Sequence, residues 1–400
     1  MVIKEGYKQT EIGVIPIDWE VRTFDELTDK IIGGGTPSRS NSSFWGNEIP
    51  WVTVKDFATF NPFTTQEYIT KIGLQNSASH LIPKGIIITS TRMALGKAVI
   101  YDIDVSINQD LKAIYPKNII DTNFFYYWFQ FNAKKIEELG SGSTVMGLSL
   151  PDLRKIKLKI PTHKEQTAIA TALSDADGLI TGLEKLIAKK RNIKQGAMQQ
   201  LLQPKEGWVV KKLGEVASIV RGASPRPIED AKWFDNQSPI GWVRISDVTK
   251  SKKVLNETTQ TLSDLGVKNS RLVENGNLIM SICATVGRPI LTTFDVCIHD
   301  GFVVFRNPQI DKEYLYYFLT FIEDNWSKSG QTGSQMNLNT ALINNTEIPF
   351  PNSNEEQTRI ANIFSDMDAE LSALEQKLEK YKKVKLGMMQ ELLTGKTRLN

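Results

Sequence analysis

The sequence predicts an α+β protein in which one scaffold is built twice and each copy is closed by a long helix. Three observations predict it. The stretch EQTAIATALSDADGLITGLEKLIAKKRNIKQGAMQQLL, Glu165 to Leu202, returns 191 residues later as EQTRIANIFSDMDAELSALEQKLEKYKKVKLGMMQELL, Glu356 to Leu393. Both stretches place apolar residues three and four apart, the spacing of a coiled-coil seam. The segment ahead of each helix mixes alternating strands with short helical pieces, and its landmarks repeat at offsets of 188 to 191. An internal repeat settles architecture before any single motif does.

The helices come first. Leu173, Ala176, Ile180, Leu183 and Ile187 form the seam of the first, Lys190 and Lys194 interrupt it, and Ala197 and Leu201 resume it. The second runs through Phe364, Met367, Leu371, Leu374, Leu378 and Tyr381, meets Lys385, and continues at Met388 and Leu392. The late lysines are expected to mark where the seam loosens. Asp175 and Asp177, mirrored by Asp366 and Asp368, read as a solvated helix face. Because the second helix copies the first, each finds its seam partner within the chain.

Residues 1–18 have no internal copy and read as an extended lead-in, with Pro16 and Asp18 opposing a helix. From Trp19, WEVRTFDELTDKIIGGGTP matches WVVKKLGEVASIVRGASP from Trp208. Polar loops follow and end at Trp45 and Trp233. IPWVTVKDF and IGWVRISDV then alternate as half-buried strands do. LIPKGIIITSTRMALGKAVI and LVENGNLIMSICATVGRPIL read as hairpins with a cation after a glycine, Gly96-Lys97 and Gly287-Arg288. Each copy continues with a strand, an aromatic helix, a loop of small polar residues and a closing strand ending at Pro161 or Pro351. Strands and short helices within each unit of about 140 residues give the α+β class.

Composition narrows the function. A net charge of +3 over 400 residues is too small to identify a polyanion binder, so any basic surface must be local. Cys283 and Cys297 with three histidines cannot build a four-ligand zinc site of the usual spacing, and they fit a reducing cytoplasm. The opening residues contain no apolar signal core, and the longest apolar run, Phe124 to Phe129, is too short to span a bilayer. No membrane association is expected.

A catalytic constellation does not emerge. The phosphate-binding pattern G-x-x-x-x-G-K-[ST] is missing, and Gly33-Gly34-Gly35 reads as a flexible turn. Phe60-Asn61-Pro62-Phe63 lacks the second proline of an adenine-methyltransferase loop, and no glycine-rich cofactor motif accompanies it. His299 has no cysteine or serine at readable spacing. No catalytic residue, metal or cofactor is therefore expected on this chain. What remains is binding. Polar loops and hairpin turns next to tryptophans carry the residue types that contact phosphates and base edges. The DNA-contact candidates of the first unit are Thr36, Ser38, Arg39, Arg92, Lys97, Gln109 and Thr144. Those of the second are Arg221, Ser224, Arg226, Arg244, Arg288, Gln331, Ser334 and Gln335. Trp45, Trp51, Trp233 and Trp242 read as core residues at strand ends. The framework repeats while the loop residues differ, which points to two recognition surfaces with different targets.

The opening YKQTEIGVIPIDW, the strand IPWV and the two EQ-initiated helices together resemble the specificity subunit of type I restriction-modification systems, over essentially the whole chain. The resemblance implies two target recognition domains, each reading half of a split DNA site. It implies that the long helices pack antiparallel as a spacer, in a pseudo-two-fold, near-circular arrangement completed by residues 1–18 and the closing LLTGKTRLN. It further implies no catalysis by the subunit itself. Double-stranded DNA, two modification (methyltransferase) subunits and restriction (translocase/nuclease) subunits are the implied partners. S-adenosylmethionine, ATP and Mg belong to those partners. The expected divisions are an N-terminal segment 1–18, recognition domain 19–161, central helix region 162–204, recognition domain 205–351 and C-terminal helix region 352–400. The family often has glycine after the hairpin arginine, whereas Met93 follows Arg92 here and Ile282-Cys283 replace Thr-Arg. A helix of about 38 residues spans roughly 57 Å, more than the roughly 34–36 Å between half-sites one DNA turn apart. The alternative from the residues alone is a coiled-coil scaffold whose recognition domains bind a partner other than DNA.

Overall fold

The structure is a computed structural model and describes residues 5–140, 147–329 and 338–399. The chain divides into two compact units, one of residues 1–184 and 376–400 and the other of residues 185–375. The principal helices are α1 (Thr122–Gly140), α2 (His163–Leu201), α3 (Lys312–Phe321) and α4 (Asn354–Leu392). Both long helices are 39 residues, each unit holds part of both, and the mixed helix-and-sheet class is as the sequence predicts.

In the first unit, the sheet order is Thr28–Gly33, Leu111–Pro116, Ile87–Ser90, Ala98–Ile100, all antiparallel. A second sheet orders Glu67–Ile69, Trp45–Val52, Val105–Ile107 and Leu81–Ile82, with Val105–Ile107 parallel to Trp45–Val52. The second unit repeats both. One sheet runs Ser218–Arg221, Phe302–Arg306, Leu278–Ser281, Pro289–Thr292, with Val254–Leu255 added at its edge. The other runs Gln260–Thr261, Gly241–Val243, Val296–Ile298, Arg271–Val273, again with a central parallel pair. The lead-in forms a hairpin of Tyr7–Thr10 with Gly13–Pro16.

Matched framework residues now have reasons. Glu26 and Glu215 each accept the backbone N–H of the residue that opens a short helix, Thr23 at 2.6 Å and Lys212 at 2.7 Å. This is a carboxylate satisfying an orphan donor at a helix start. Asp56 and Asp247, buried at 4% and 5% exposure, each accept two backbone N–H groups from separate segments. The glutamine of each EQ pair is buried. Gln166 accepts the Asp121 N–H at 2.7 Å and donates to the Ile119 and Pro161 carbonyls. Gln357 accepts the Asp311 N–H at 2.7 Å and donates to Pro351. In each unit one amide thus joins the start of a long helix to the turn that caps the aromatic helix α1 or α3.

Apolar burial completes each unit. Trp19, Phe24, Phe124, Phe125 and Phe129 pack with Ile169 and Leu173 of α2 and Met389 and Leu392 of α4. In the second unit Leu213, Tyr314, Leu315 and Phe318 pack with Met198, Ile360 and Phe364. Of the seam residues, Leu173, Ala176, Ile187 and Phe364 are buried. Ile180, Leu183, Met367, Leu371, Leu374 and Leu378 are half-buried. Within the first unit Asp177 pairs with Lys385 at 2.7 Å and Glu184 with Lys382 at 3.1 Å. Within the second, Lys190 pairs with Glu370 at 2.7 Å and Lys194 with Asp368. Numbers rise on α2 as they fall on α4, so the helices pack antiparallel.

Two expectations are corrected here. The seam does not loosen at its lysines, since the Lys194 and Lys385 side chains are only 17% and 16% exposed and each is paired to a carboxylate of the other helix. Asp177 and Asp368 are accordingly not a solvated face. A heptad pattern scores lysine as an interruption because it cannot see the counter-charge.

Candidate functional site

The site is built on a backbone crossing that only glycine permits. A Cβ on Gly34 would lie 1.9 Å from the Ile107 carbonyl oxygen, and one on Gly222 would lie 2.0 Å from that of His299. Gly35 N donates to Ile107 O, and Ala223 N to Ile298 O, both at 3.0 Å. The Gly33-Gly34-Gly35 run is therefore a close approach to the end of a strand and not a flexible turn. Gly34→Ala is expected to destabilise the first unit by about 3 kcal/mol, the upper end of overpacking costs, read by denaturant unfolding.

The crossing brings sequence-predicted residues together. In the first unit the Thr36 hydroxyl donates to Gln109 Oε1. Gln109 and Arg92 line one cavity of about 460 Å³ with Thr91, Lys112 and Ser149. In the second unit the matched pair is Ser224, whose hydroxyl donates to Asp300 Oδ1 at 2.7 Å. Arg226 reaches Asp300 Oδ2 at 3.1 Å, and Arg221 Nε donates to the Asp300 carbonyl at 2.7 Å. The Ser224 hydrogen bond, ahead of the nearby Arg226 charge, holds the Asp300 carboxyl below the usual range against the opposing effect of burial. One frame thus presents an uncharged amide in one unit and an arginine-flanked carboxylate in the other.

Other candidates are placed differently. Arg39 is forked onto Glu67 at 2.6 and 2.9 Å and stacks over Trp45 at 3.7 Å. The Arg39 hydrogen bonds hold the Glu67 carboxyl below its ordinary range. Ser38 shares a hydrogen bond with Ser40, and Lys97 is exposed at the hairpin turn. Arg244 is half-buried and donates to Gln260 at 2.8 Å. Arg288 turns into a separate cavity of about 1040 Å³, donating to the Ser251 carbonyl at 3.0 Å. Thr144, Gln331, Ser334 and Gln335 lie outside the described residues. Trp51, Trp233 and Trp242 are buried, whereas Trp45 is half-buried beneath Arg39.

Sequence reading missed Lys112 and Asp300. Lys112 Nζ donates to the Gln109 carbonyl at 2.9 Å, and burial pulls its pKa down. Its position three residues past Gln109 is weak as a signal. Asp300 matches Gln109 at the offset of 191, so the repeat itself could have found it. The hairpin position after Arg92 is also explained. Met93 has φ 49° and its match Ala284 has φ 58°, a left-handed turn that glycine takes without strain.

His299 is a packed residue. Its Nδ1 accepts the Gly301 N–H at 2.9 Å, its ring meets Phe302, and burial lowers its pKa. Among the described residues no cluster of three or more His, Cys, Asp or Glu could hold a metal, and no helix is long and apolar enough to cross a membrane.

These features define a duplicated α+β protein whose paired loop surfaces share a frame and differ in chemistry. The model of the type I restriction modification DNA specificity domain matches the sequence twice, at residues 16–195 and 205–384. The chain belongs to this family, that of the specificity subunits of type I restriction-modification systems. It is 27% identical over 295 residues to the type I restriction enzyme MjaIX specificity subunit of Methanocaldococcus jannaschii, a match spanning 66% of each chain. It is 25% identical over 433 aligned positions to the putative MjaX specificity subunit of the same organism, covering 99% of this chain and 97% of that one. The crystal structure of the type I restriction-modification S subunit from M. genitalium aligns with a TM-score of 0.59 at 16% identity, over 94% of this chain and 96% of that one. A structure from work on complex assembly and conformational transition of the type I R-M system aligns at 0.65 and 16%, over 96% and 99%. These likenesses show the fold.

Proposed function

We propose that this chain is the DNA sequence-specificity subunit of a type I restriction-modification complex. Each recognition domain reads one half of an asymmetric bipartite site, and the antiparallel long helices set the gap between the halves. The observation that carries this reading is the shared frame with exchanged chemistry, Thr36–Gln109 in one unit and Ser224–Asp300 with Arg221 and Arg226 in the other. Two unequal surfaces in one chain suit a non-palindromic target, since direct readout depends on which donors and acceptors face the base edges. The remaining candidates, Ser38, Arg39, Arg92, Lys97, Thr144, Arg244, Arg288, Gln331, Ser334 and Gln335, complete the proposed contact set. Phosphate contacts from its cations make affinity fall steeply with salt.

The long helices also recruit the modification subunits, which methylate adenine, and the restriction subunits. Leu179, Leu186 and Ile193 support this, because they stand exposed and seven residues apart on α2. Methyl transfer and DNA cleavage lie on those subunits, with their S-adenosylmethionine, ATP and Mg. The test is methylome sequencing of a host expressing this gene with its modification partner. A bipartite adenine motif that disappears on deletion of this gene is expected. Adenine marks unchanged by the deletion would overturn the reading.

A further inference from the structure

The seam lysines belong to a three-body contact that occurs twice. In the first unit the Tyr127 hydroxyl of α1 donates to Asp177 Oδ2 of α2 at 2.9 Å. Asp177 Oδ1 pairs with Lys385 of α4 at 2.7 Å, and the Lys385 ammonium sits 5.3 Å from the centre of the Tyr127 ring. In the second unit Tyr317 of α3 donates to Asp368 Oδ2 of α4 at 2.9 Å. Asp368 pairs with Lys194 of α2, whose ammonium lies 5.4 Å from the Tyr317 ring centre. The roles of α2 and α4 exchange between the units. The matched residues stand 190 or 191 apart, so the arrangement is repeated as faithfully as the framework.

Such a contact is an unusual choice for an apolar seam. A lysine there costs stability relative to leucine, and the best-attested use of a lone polar seam residue is to specify register. Here the carboxylate that receives the lysine also receives a hydroxyl from the recognition domain. Sliding either long helix by one turn would separate the ammonium from its carboxylate, and turning the recognition domain would withdraw the phenol. The ring stacked under the ammonium adds a cation–π attraction, strengthened where water is excluded. Burial first, and then the adjacent carboxylate, raises the pKa of both phenols, so each remains a donor.

We propose that Tyr127–Asp177–Lys385 and Tyr317–Asp368–Lys194 are positioning triads, each locking one recognition domain onto the register of the two long helices and so fixing how it presents its reading loops. This rests on the DNA-specificity reading above. Its consequence is that strictness about the gap between half-sites depends on residues that touch no base.

The experiment uses the complex of the full chain with its modification subunits. Methylation rates are compared on DNA carrying both half-sites at the native gap and at gaps one base pair shorter and longer. Tyr127→Phe keeps the ring and removes the hydroxyl. It is expected to lower the preference for the native gap on the order of tenfold, the scale of a lost hydrogen bond to a charged acceptor, with half-site sequence preference unchanged. The triple variant Tyr127→Phe, Asp177→Leu, Lys385→Met replaces every polar group of the contact with an apolar one, so that no buried phenol is left without an acceptor. It is expected to keep or raise the thermal midpoint and still lose gap strictness, which a merely structural role would not produce. A wild-type complex that holds a fixed gap beside variants that hold it as strictly would overturn the triads alone. A wild-type complex that methylates no bipartite site would overturn the functional reading beneath them.

Discussion

Arg398→Ala is expected to lower the stability of the first unit by about 3 kcal/mol, on the order of 10 °C in thermal midpoint for a unit of this size, as measured by calorimetry. The reason is the position of Glu165. Its carboxylate is 3% exposed and receives Arg398 Nε at 2.7 Å and Nη2 at 2.9 Å, Trp19 Nε1 at 2.9 Å and Leu399 N at 3.3 Å. Arg398 also forks onto Asp18 at 2.9 and 2.6 Å. Removing the guanidinium leaves a buried carboxylate with neutral donors only, and an uncompensated buried charge is costly. Arg398→Lys should recover only part of the loss, because an ammonium cannot serve two carboxylates in fixed geometry. The second unit supplies the contrast. The Glu356 carboxylate, which matches that of Glu165, pairs at 3.6 Å with the exposed Arg359, so Arg359→Ala should cost less than about 1 kcal/mol.

The same clasp gives a pH dependence. The Arg398 hydrogen bond holds the Asp18 carboxyl below its ordinary value. A depressed carboxylate stabilises the fold at pH values above its unfolded pKa, near 4, and that contribution is lost as pH falls through the lower folded value. Stability of the wild type should therefore decline below about pH 4 more steeply than that of Arg398→Ala.

Gln109→Ala is expected to relax sequence discrimination at one position of the first half-site by about 1–3 kcal/mol, roughly 5- to 150-fold, and to leave the second half-site untouched. Gln109 is exposed, its Oε1 is taken by Thr36, and its amide N–H groups can address a base edge. The measurement is the methylation rate on substrate pools randomised across each half-site. Equal loss over both halves would indicate a structural effect, and no change at all would remove Gln109 from the reading surface.

Much of this molecule is legible in its sequence because duplication doubles the signal. The predicted helices Glu165–Leu202 and Glu356–Leu393 correspond to His163–Leu201 and Asn354–Leu392. Glu26 and Glu215, or Gln166 and Gln357, stand out as matched pairs before their backbone contacts are known. What the sequence hides is any contact made by three elements at once. Lys194 and Lys385 look like defects because a two-helix pattern has no place for Tyr127 or Tyr317. Gly34 looks like a flexible turn because the carbonyl it must admit, Ile107 O, lies over seventy residues away. Asp300 escapes a reading by residue type, because what marks it is the convergence of Arg221, Ser224 and Arg226 upon it. Arg39 reads as a free cation by type alone, and Glu67, which occupies it, lies on a strand with no motif of its own.

The clasp at Arg398 also bears on the order in which the protein is completed at the ribosome. Residues 185–375 form a unit that is continuous in sequence, so all of its contacts are available once residue 375 has emerged. The other unit is discontinuous. Its buried Glu165 waits for Arg398, and its core waits for Met389 and Leu392. Vectorial synthesis therefore reverses the usual sequence in which N-terminal domains fold first. The recognition domain that is translated first is finished last, and during that interval its aromatic core is held without one of its walls.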